Sequence, residues 1–126
     1  MEFLSTEWSQ AYVDKWNANE DLQKGLKKFS GIFQYRVSDK DVTPLQVEVK
    51  DGRVVRHGDP VEGAAIEFDM WATVDGWRSV IQGEKSVKAA MVSPGFGFKG
   101  SKIKAALNMG SFEKSIKMMG EIDTTF

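Results

Sequence analysis

The sequence predicts an α+β domain built on a five-stranded, largely antiparallel sheet. Three observations carry this reading. The apolar period switches from helical to two just after Ser30-Gly31. The period-two runs that follow are joined by turns and not by crossover helices, and the helical runs gather at the two ends of the chain. At 126 residues one core suffices, so residues 1–126 are read as a single domain.

Each element has a local reason. Ser5 or Thr6 caps a first helix with Glu7 in its opening turn, and Trp8, Ala11, Tyr12 and Trp16 recur along it as one apolar stripe. Asn17-Ala18-Asn19 interrupts that stripe. Asn19 with Glu20 and Asp21 then restarts a helix, its acids placed where the helix dipole favours them, and Leu22, Leu26 and Phe29 form the second stripe. Phe33, Tyr35 and Val37 alternate with Gln34 and Arg36 as the first strand. Leu45, Val47 and Val49 make the second, which Asp51-Gly52 turns into Arg53-Val54-Val55-Arg56. That pair suits a type I′ hairpin, because both central residues must reach positive φ. Gly58-Asp59-Pro60 ends the hairpin, and Ala64, Ile66, Phe68 and Met70 alternate as a fourth strand. Thr73 caps a short helix bearing Trp77, Val80 and Ile81, which Gly83 stops, and Ser86 starts another with Val87, Ala90 and Met91 on its buried face. After the turn at Ser93-Pro94-Gly95, Phe96 and Phe98 mark a fifth strand. Ser101 caps one closing helix in which Ile103, Ala106, Leu107, Gly110, Ile116 and Met119 align.

Composition narrows the function. A hydrophobic share of 41% and a charged share of 28% are those of an ordinary globular protein, and the formal net charge of -1 gives no nucleic-acid signal. With no cysteine there is no disulfide framework and no thiolate metal site. The opening MEFLSTEW is unlike a secretory leader, no apolar run is long enough to span a bilayer, and EIDTTF is no peroxisomal signal. The expectation is a soluble, cytoplasmic protein.

Residues 95–100 read GFGFKG, a literal match to a dinucleotide-binding glycine pattern. That pattern belongs between a strand and the crossover helix of a βαβ unit, whereas this run follows a helix and a proline. Alternation of Phe with Gly is better explained by a strand with one packed face and another that admits a close approach, expected here to be of a backbone. His57 is the only histidine, at the hairpin's exit, and reads as a surface strand residue rather than part of a triad or metal site. Glu67 and Asp69 point to the same side of one strand, as an acid/base or magnesium pair would, but also as an exposed sheet face would. No nucleophile stands out.

The large apolar groups say more. Four Trp, eight Phe and six Met are many for so short a chain, and Met adapts to irregular contacts. A compact core uses such residues, and so does a wall that accepts flexible acyl or sterol ligands. Charge is uneven too: residues 1–75 carry 9 basic and 14 acidic side chains, while residues 76–110 carry 6 basic and one acidic. Lys102 and Lys104 fall in the first turn of the closing helix, where cations oppose the helix dipole. A positive helix start beside Lys99 suits an anionic headgroup, and a solvated basic face is the alternative.

From Ala65 to Ile122 the order and spacing resemble the sterol carrier protein 2 family: an alternating strand, a short helix through VDGWRSVIQGEKS with Asp75 and Gly83, a second through VKAAMVS, the Gly95-Phe96-Gly97-Phe98-Lys99-Gly100 strand and a closing helix. The Asp51-Gly52 hairpin extends the likeness upstream to about residue 20. The resemblance implies a sheet covered by helices around a hydrophobic tunnel that holds fatty acids, acyl-CoA esters or sterols, with no enzymatic activity and no cofactor. On this carrier hypothesis Phe33, Ile66, Phe68, Trp77, Ile81, Met91, Phe98, Ile103, Ala106, Leu107, Phe112 and Met119, read as facing inward from sheet and helices, line or gate the tunnel. Lys99, Lys102 and Lys104 would then hold an anionic headgroup or dock transiently on an anionic membrane. The rival expectation is a protein-interaction module of a lipid-metabolising complex, with a core filled by side chains.

Overall fold

A computed structural model describes all of residues 1–126. Helices α1 (Thr6–Ala18) and α2 (Glu20–Gly25) lead into strands β1 (Gly31–Val37), β2 (Leu45–Lys50), β3 (Arg53–Gly58) and β4 (Ile66–Ala72). Helices α3 (Val74–Ile81) and α4 (Val87–Met91), strand β5 (Phe96–Gly100), helices α5 (Lys102–Leu107) and α6 (Met109–Lys117) and a 3₁₀ turn (Met118–Glu121) complete the chain. The α+β class and the five strands are as expected.

The sheet runs β3-β2-β1-β4-β5. Three of its four pairings are antiparallel, and β1 with β4 is parallel. Because β1, β2 and β3 form a meander, the chain must return from the sheet's edge to lay β4 beside β1 in the same direction. Asp51 and Gly52 both have positive φ, 51° and 85°, as the hairpin requires. A Cβ on Gly52 would also lie 2.6 Å from the Gln23 carbonyl oxygen, so the turn is pressed against α2 and no other residue fits it.

Caps set the helix starts. Ser5, Asn19, Thr73, Ser86 and Ser101 each accept a backbone N–H with the side-chain oxygen, from Trp8, Leu22, Gly76, Ala89 and Lys104 respectively. The closing helix departs from expectation. It is two helices, divided at Asn108, which closes α5 and precedes α6 without a side-chain cap; its Nδ2 instead donates to the Lys104 carbonyl. An Asn side chain that bonds back to the preceding turn competes with helix continuation, and the break follows.

One face of the sheet carries the core. Phe33, Tyr35, Val47, Phe68 and Met70 are buried beneath the helices, and Trp8, Tyr12 and Trp16 of α1 are fully buried against them. The other face is a polar ladder. Gln46 donates to Gln34, Gln34 donates to Asp69, and Arg36 holds both Asp69 carboxylate oxygens at 3.0 and 2.9 Å. At the far side Arg56 pairs with Glu48. The chain ends meet as well: the Phe3 N–H donates to the Thr125 carbonyl, and the Thr125 N–H to that of Met1.

Two buried phenols form a relay inside the core. Tyr12 donates to the Ser115 carbonyl at 2.9 Å, which leaves its oxygen to accept from Tyr35 at 3.3 Å. Burial pushes both phenols well above their ordinary pKa. A phenol whose folded pKa is raised keeps its contribution below the unfolded value near 10 and loses it as pH climbs toward the folded value. We therefore predict that stability falls progressively as pH rises above about 10, where the unfolded phenols ionise and the buried ones do not. Urea unfolding between pH 8 and 11 checks this, and Tyr35→Phe should flatten the alkaline slope while costing about 1 kcal/mol at neutral pH.

Candidate lipid-binding site

The predicted site residues fall into three groups. Phe33, Phe68, Phe98 and Phe112 do come together, joined by Phe29, which the expected set omitted. Ring centroids lie 5.4 Å apart for Phe29–Phe33, 5.5 Å for Phe33–Phe68 and Phe68–Phe98, 6.0 Å for Phe68–Phe112 and 6.2 Å for Phe98–Phe112. The cluster joins β1, β4, β5, α6 and the segment after α2. Register explains it: Phe33 faces Phe68 across the parallel β1–β4 pair, and the β4–β5 pairing sets Phe98 opposite Met70.

Trp77, Ile81 and Met119 are also buried, but Trp77 belongs to a second cluster with Phe3, Tyr35 and Phe96. Its indole N–H donates to the Arg36 carbonyl at 2.8 Å, which fixes α3 to β1. Ile66 and Met91 are half-buried.

The third group corrects the expectation. Ile103 is 75% exposed, Leu107 79% exposed, and Ala106 also faces solvent, so none of the three lines the interior in this conformation. The physical reason is phase: at about 100° per residue Ile103 lies roughly opposite Phe112, and Leu107 roughly opposite Ile116, so the two cannot share the buried face of the closing segment, and α5 buries only Ala105.

None of the five clustered phenylalanine rings lines either of the two principal clefts. The principal clefts open elsewhere: one of about 430 Å³ lies between the N-terminal segment, the β1–β2 loop and Phe126, and one of about 530 Å³ is a mostly polar hollow beside Asn19 and Glu121.

The carboxylates have structural partners. Asp69 is held by Arg36, and Glu67 accepts Lys104 Nζ at 2.9 Å. Lys104 is therefore engaged, while none of the four ion pairs includes Lys99 or Lys102, both exposed. At the start of α5 the Lys104 N–H is bonded to Ser101 Oγ. His57 is half-buried rather than on the open surface, and its Nδ1 contacts the hydroxyl of the buried Ser9, a pairing of α1 with β3 that no sequence motif announced.

Gly97 does admit a close approach, but of a side chain. A Cβ there would lie 2.0 Å from Cε2 of Trp71, whose ring also stacks under Arg36 at 4.7 Å.

Solved structures of the same architecture settle the fold. A crystal structure of sterol carrier protein 2 superposes with a TM-score of 0.82 at 21% identity, covering 96% of this chain and 99% of that one. The chain has the sterol carrier protein 2 fold. A conserved hypothetical protein of Thermus thermophilus gives a TM-score of 0.78 at 20% identity over 99% of this chain and 92% of its own. Palmitated SCP2L2 from Aedes aegypti gives 0.54 at 18% identity over 85% and 94%. No family model matches the sequence, and no curated protein does. No helix is long and apolar enough to cross a membrane.

The Gly97 contact is testable. Gly97→Ala should destabilise the protein by about 1–3 kcal/mol through overpacking against Trp71. In a Trp71→Leu background the same substitution should cost much less, and the double-mutant cycle read by urea unfolding gives the coupling.

Proposed function

We propose that this protein is a non-enzymatic carrier that takes up an apolar lipid, a fatty acid, fatty acyl-CoA or sterol-like molecule, in the space now held by Phe29, Phe33, Phe68, Phe98 and Phe112, and transfers or presents it. The observation that carries the proposal is the phenylalanine cluster itself. It is a wholly apolar volume between sheet and helices, and its rings carry no polar atom that displacement would strand. The fold is shared with sterol carrier protein 2 and with the palmitated mosquito protein, and this supports a lipid as the occupant. Lys99 and Lys102 stand free at the end of β5 and the start of α5 to meet an anionic headgroup.

A second reading rests on the same rings. Close packing of all five phenylalanines favours an interaction module whose core stays filled. The two readings part on ligand binding.

The carrier reading predicts saturable binding of an environment-sensitive fluorescent fatty acid, displaced by unlabelled palmitate, and lipid in an organic extract of the purified protein read by mass spectrometry. The absence of displaceable binding across fatty acids, acyl-CoAs and sterols sinks it. Phe112→Ala, which empties part of the cluster, should cost about 3–5 kcal/mol in the free protein. Bound fatty acid at about a hundredfold above Kd should return about 2.7 kcal/mol. Thermal unfolding with and without palmitate checks both figures.

A further inference from the structure

The clearest unexplained surface is helix α5. Ala105 is its single buried residue. At about 100° per residue, Ile103 and Leu107 lie within about 40° of each other and roughly opposite Ala105, so the two apolar side chains point straight into solvent. This inverts the usual helix, which turns its apolar stripe to the core. Exposed isolated apolar residues are ordinary, but these are neighbours on one face. Of the five large hydrophobic side chains that are exposed, three, Val92, Ile103 and Leu107, fall between residues 92 and 107.

That stretch is also where the positive charge collects. Residues 76–110 hold six basic side chains against the single acid Glu84, a net +5. Lys102 flanks the apolar pair on the helix and Lys99 precedes it, both exposed and unpaired, while Lys104 is held by Glu67. The rest of the chain is net acidic, with nine basic and fourteen acidic groups in residues 1–75, so the positive excess lies in the same stretch of chain as the exposed apolar residues. Outward apolar side chains bordered by lysines match the chemistry of an anionic bilayer surface, where the apolar groups enter the acyl boundary and the cations meet headgroups.

We propose that α5 docks the protein on anionic membranes, with Ile103 and Leu107 inserting and Lys99 and Lys102 contacting headgroups. The segment from Lys99 to Ser111 leaves and rejoins the core at Phe98 and Phe112, whose rings touch at 6.2 Å, so docking brings the bilayer to the rim of the phenylalanine cluster. Docking goes beyond the carrier reading and stands without it, because it needs no ligand in the core.

The test uses the full chain with no lipid ligand added. Wild type should co-sediment with phosphatidylcholine vesicles containing phosphatidylserine and should bind pure phosphatidylcholine vesicles at least tenfold more weakly. High salt should release it, as the cationic contribution is screened. Ile103→Ser with Leu107→Ser should lower binding by about tenfold or more with an unchanged thermal midpoint, since both positions are exposed. The chain has no cysteine, so Ile103→Cys or Val55→Cys each accept one polarity-sensitive fluorophore. The label at 103 should shift to the blue on anionic vesicles and the label at 55, on exposed β3, should not. Equal binding by the double serine variant, equal response of the two labels, or equal affinity for neutral vesicles overturns the proposal. So does self-association through this face, seen by light scattering as a dimer that the serine variant abolishes, without vesicle binding.

Discussion

The fold depends on where the polar ends of four buried aromatic side chains find partners. Trp8, Tyr12 and Trp16 on α1 and Trp77 on α3 are wholly buried, and a buried ring with an N–H or O–H must satisfy it. Trp8 donates to Thr124 Oγ1 at 2.9 Å, Tyr12 to the Ser115 carbonyl, Trp16 to the Gly52 carbonyl at 3.0 Å and Trp77 to the Arg36 carbonyl. Each bond spans at least 36 residues and reaches a different element: the C-terminal segment, α6, the β2–β3 turn and β1. Rings supply the burial, and their polar tips fix the rotation and height of α1 against everything else. The stripe is therefore more than an amphipathic face, because sliding α1 by one turn would strand three donors at once.

The sheet answers this anchoring with two unlike faces. Toward the helices it is aromatic; away from them the ladder from Arg56 through Gln46 and Gln34 to Asp69 and Arg36 crosses four strands. Gln46 is buried even so, since the Val61 N–H of the loop after β3 donates to its Oε1. The bonds from Gln34 and Arg36 to Asp69 hold the register of the parallel β1–β4 pair, where a slip of one residue would turn charges into the core. Glu67 and Asp69 resembled a catalytic pair in sequence because chemistry and register control use the same residues at the same spacing.

Much of this was legible in advance. All five side-chain caps, the Asp51-Gly52 hairpin and the strand character of Gly95 to Gly100 follow from local rules in which one residue type meets one backbone need. The parallel β1–β4 contact was not legible, because no local pattern says on which side of a meander the next strand returns. The division at Asn108 was missed, although the apolar stripe of Ile103 and Leu107 changes phase before Phe112 and Ile116. Trp71 over Gly97 is a pairing between strands, visible only once β4 and β5 are in register. The cluster of Phe33, Phe68, Phe98 and Phe112 was anticipated as a set of inward residues, yet whether such residues enclose a tunnel or fill it depends on rotamers and helix placement, which periodicity does not encode.

The two aromatic clusters also divide the molecule by how it can deform. Moving α1 or α3 breaks hydrogen bonds to Thr124, Ser115, Gly52 or Arg36, and each abandoned buried donor costs about 1–3 kcal/mol. The phenylalanine cluster has no such bonds. Its rings rearrange at the cost of dispersion contacts alone, and those are recovered against any apolar replacement of similar shape. An alkyl chain entering there contributes roughly 0.8 kcal/mol for each buried methylene, which offsets the ring contacts it displaces. The region bounding this cluster, from Ser86 to Asn108, consists of three elements of five or six residues, two of them helices started by serine caps and one the edge strand β5, with α5 burying one side chain. Sparse burial and short elements place a segment at the low end of local stability. On the proposed carrier reading an apolar molecule therefore enters through the β5–α5 side, because the aromatic anchors of α1 and α3 resist movement elsewhere.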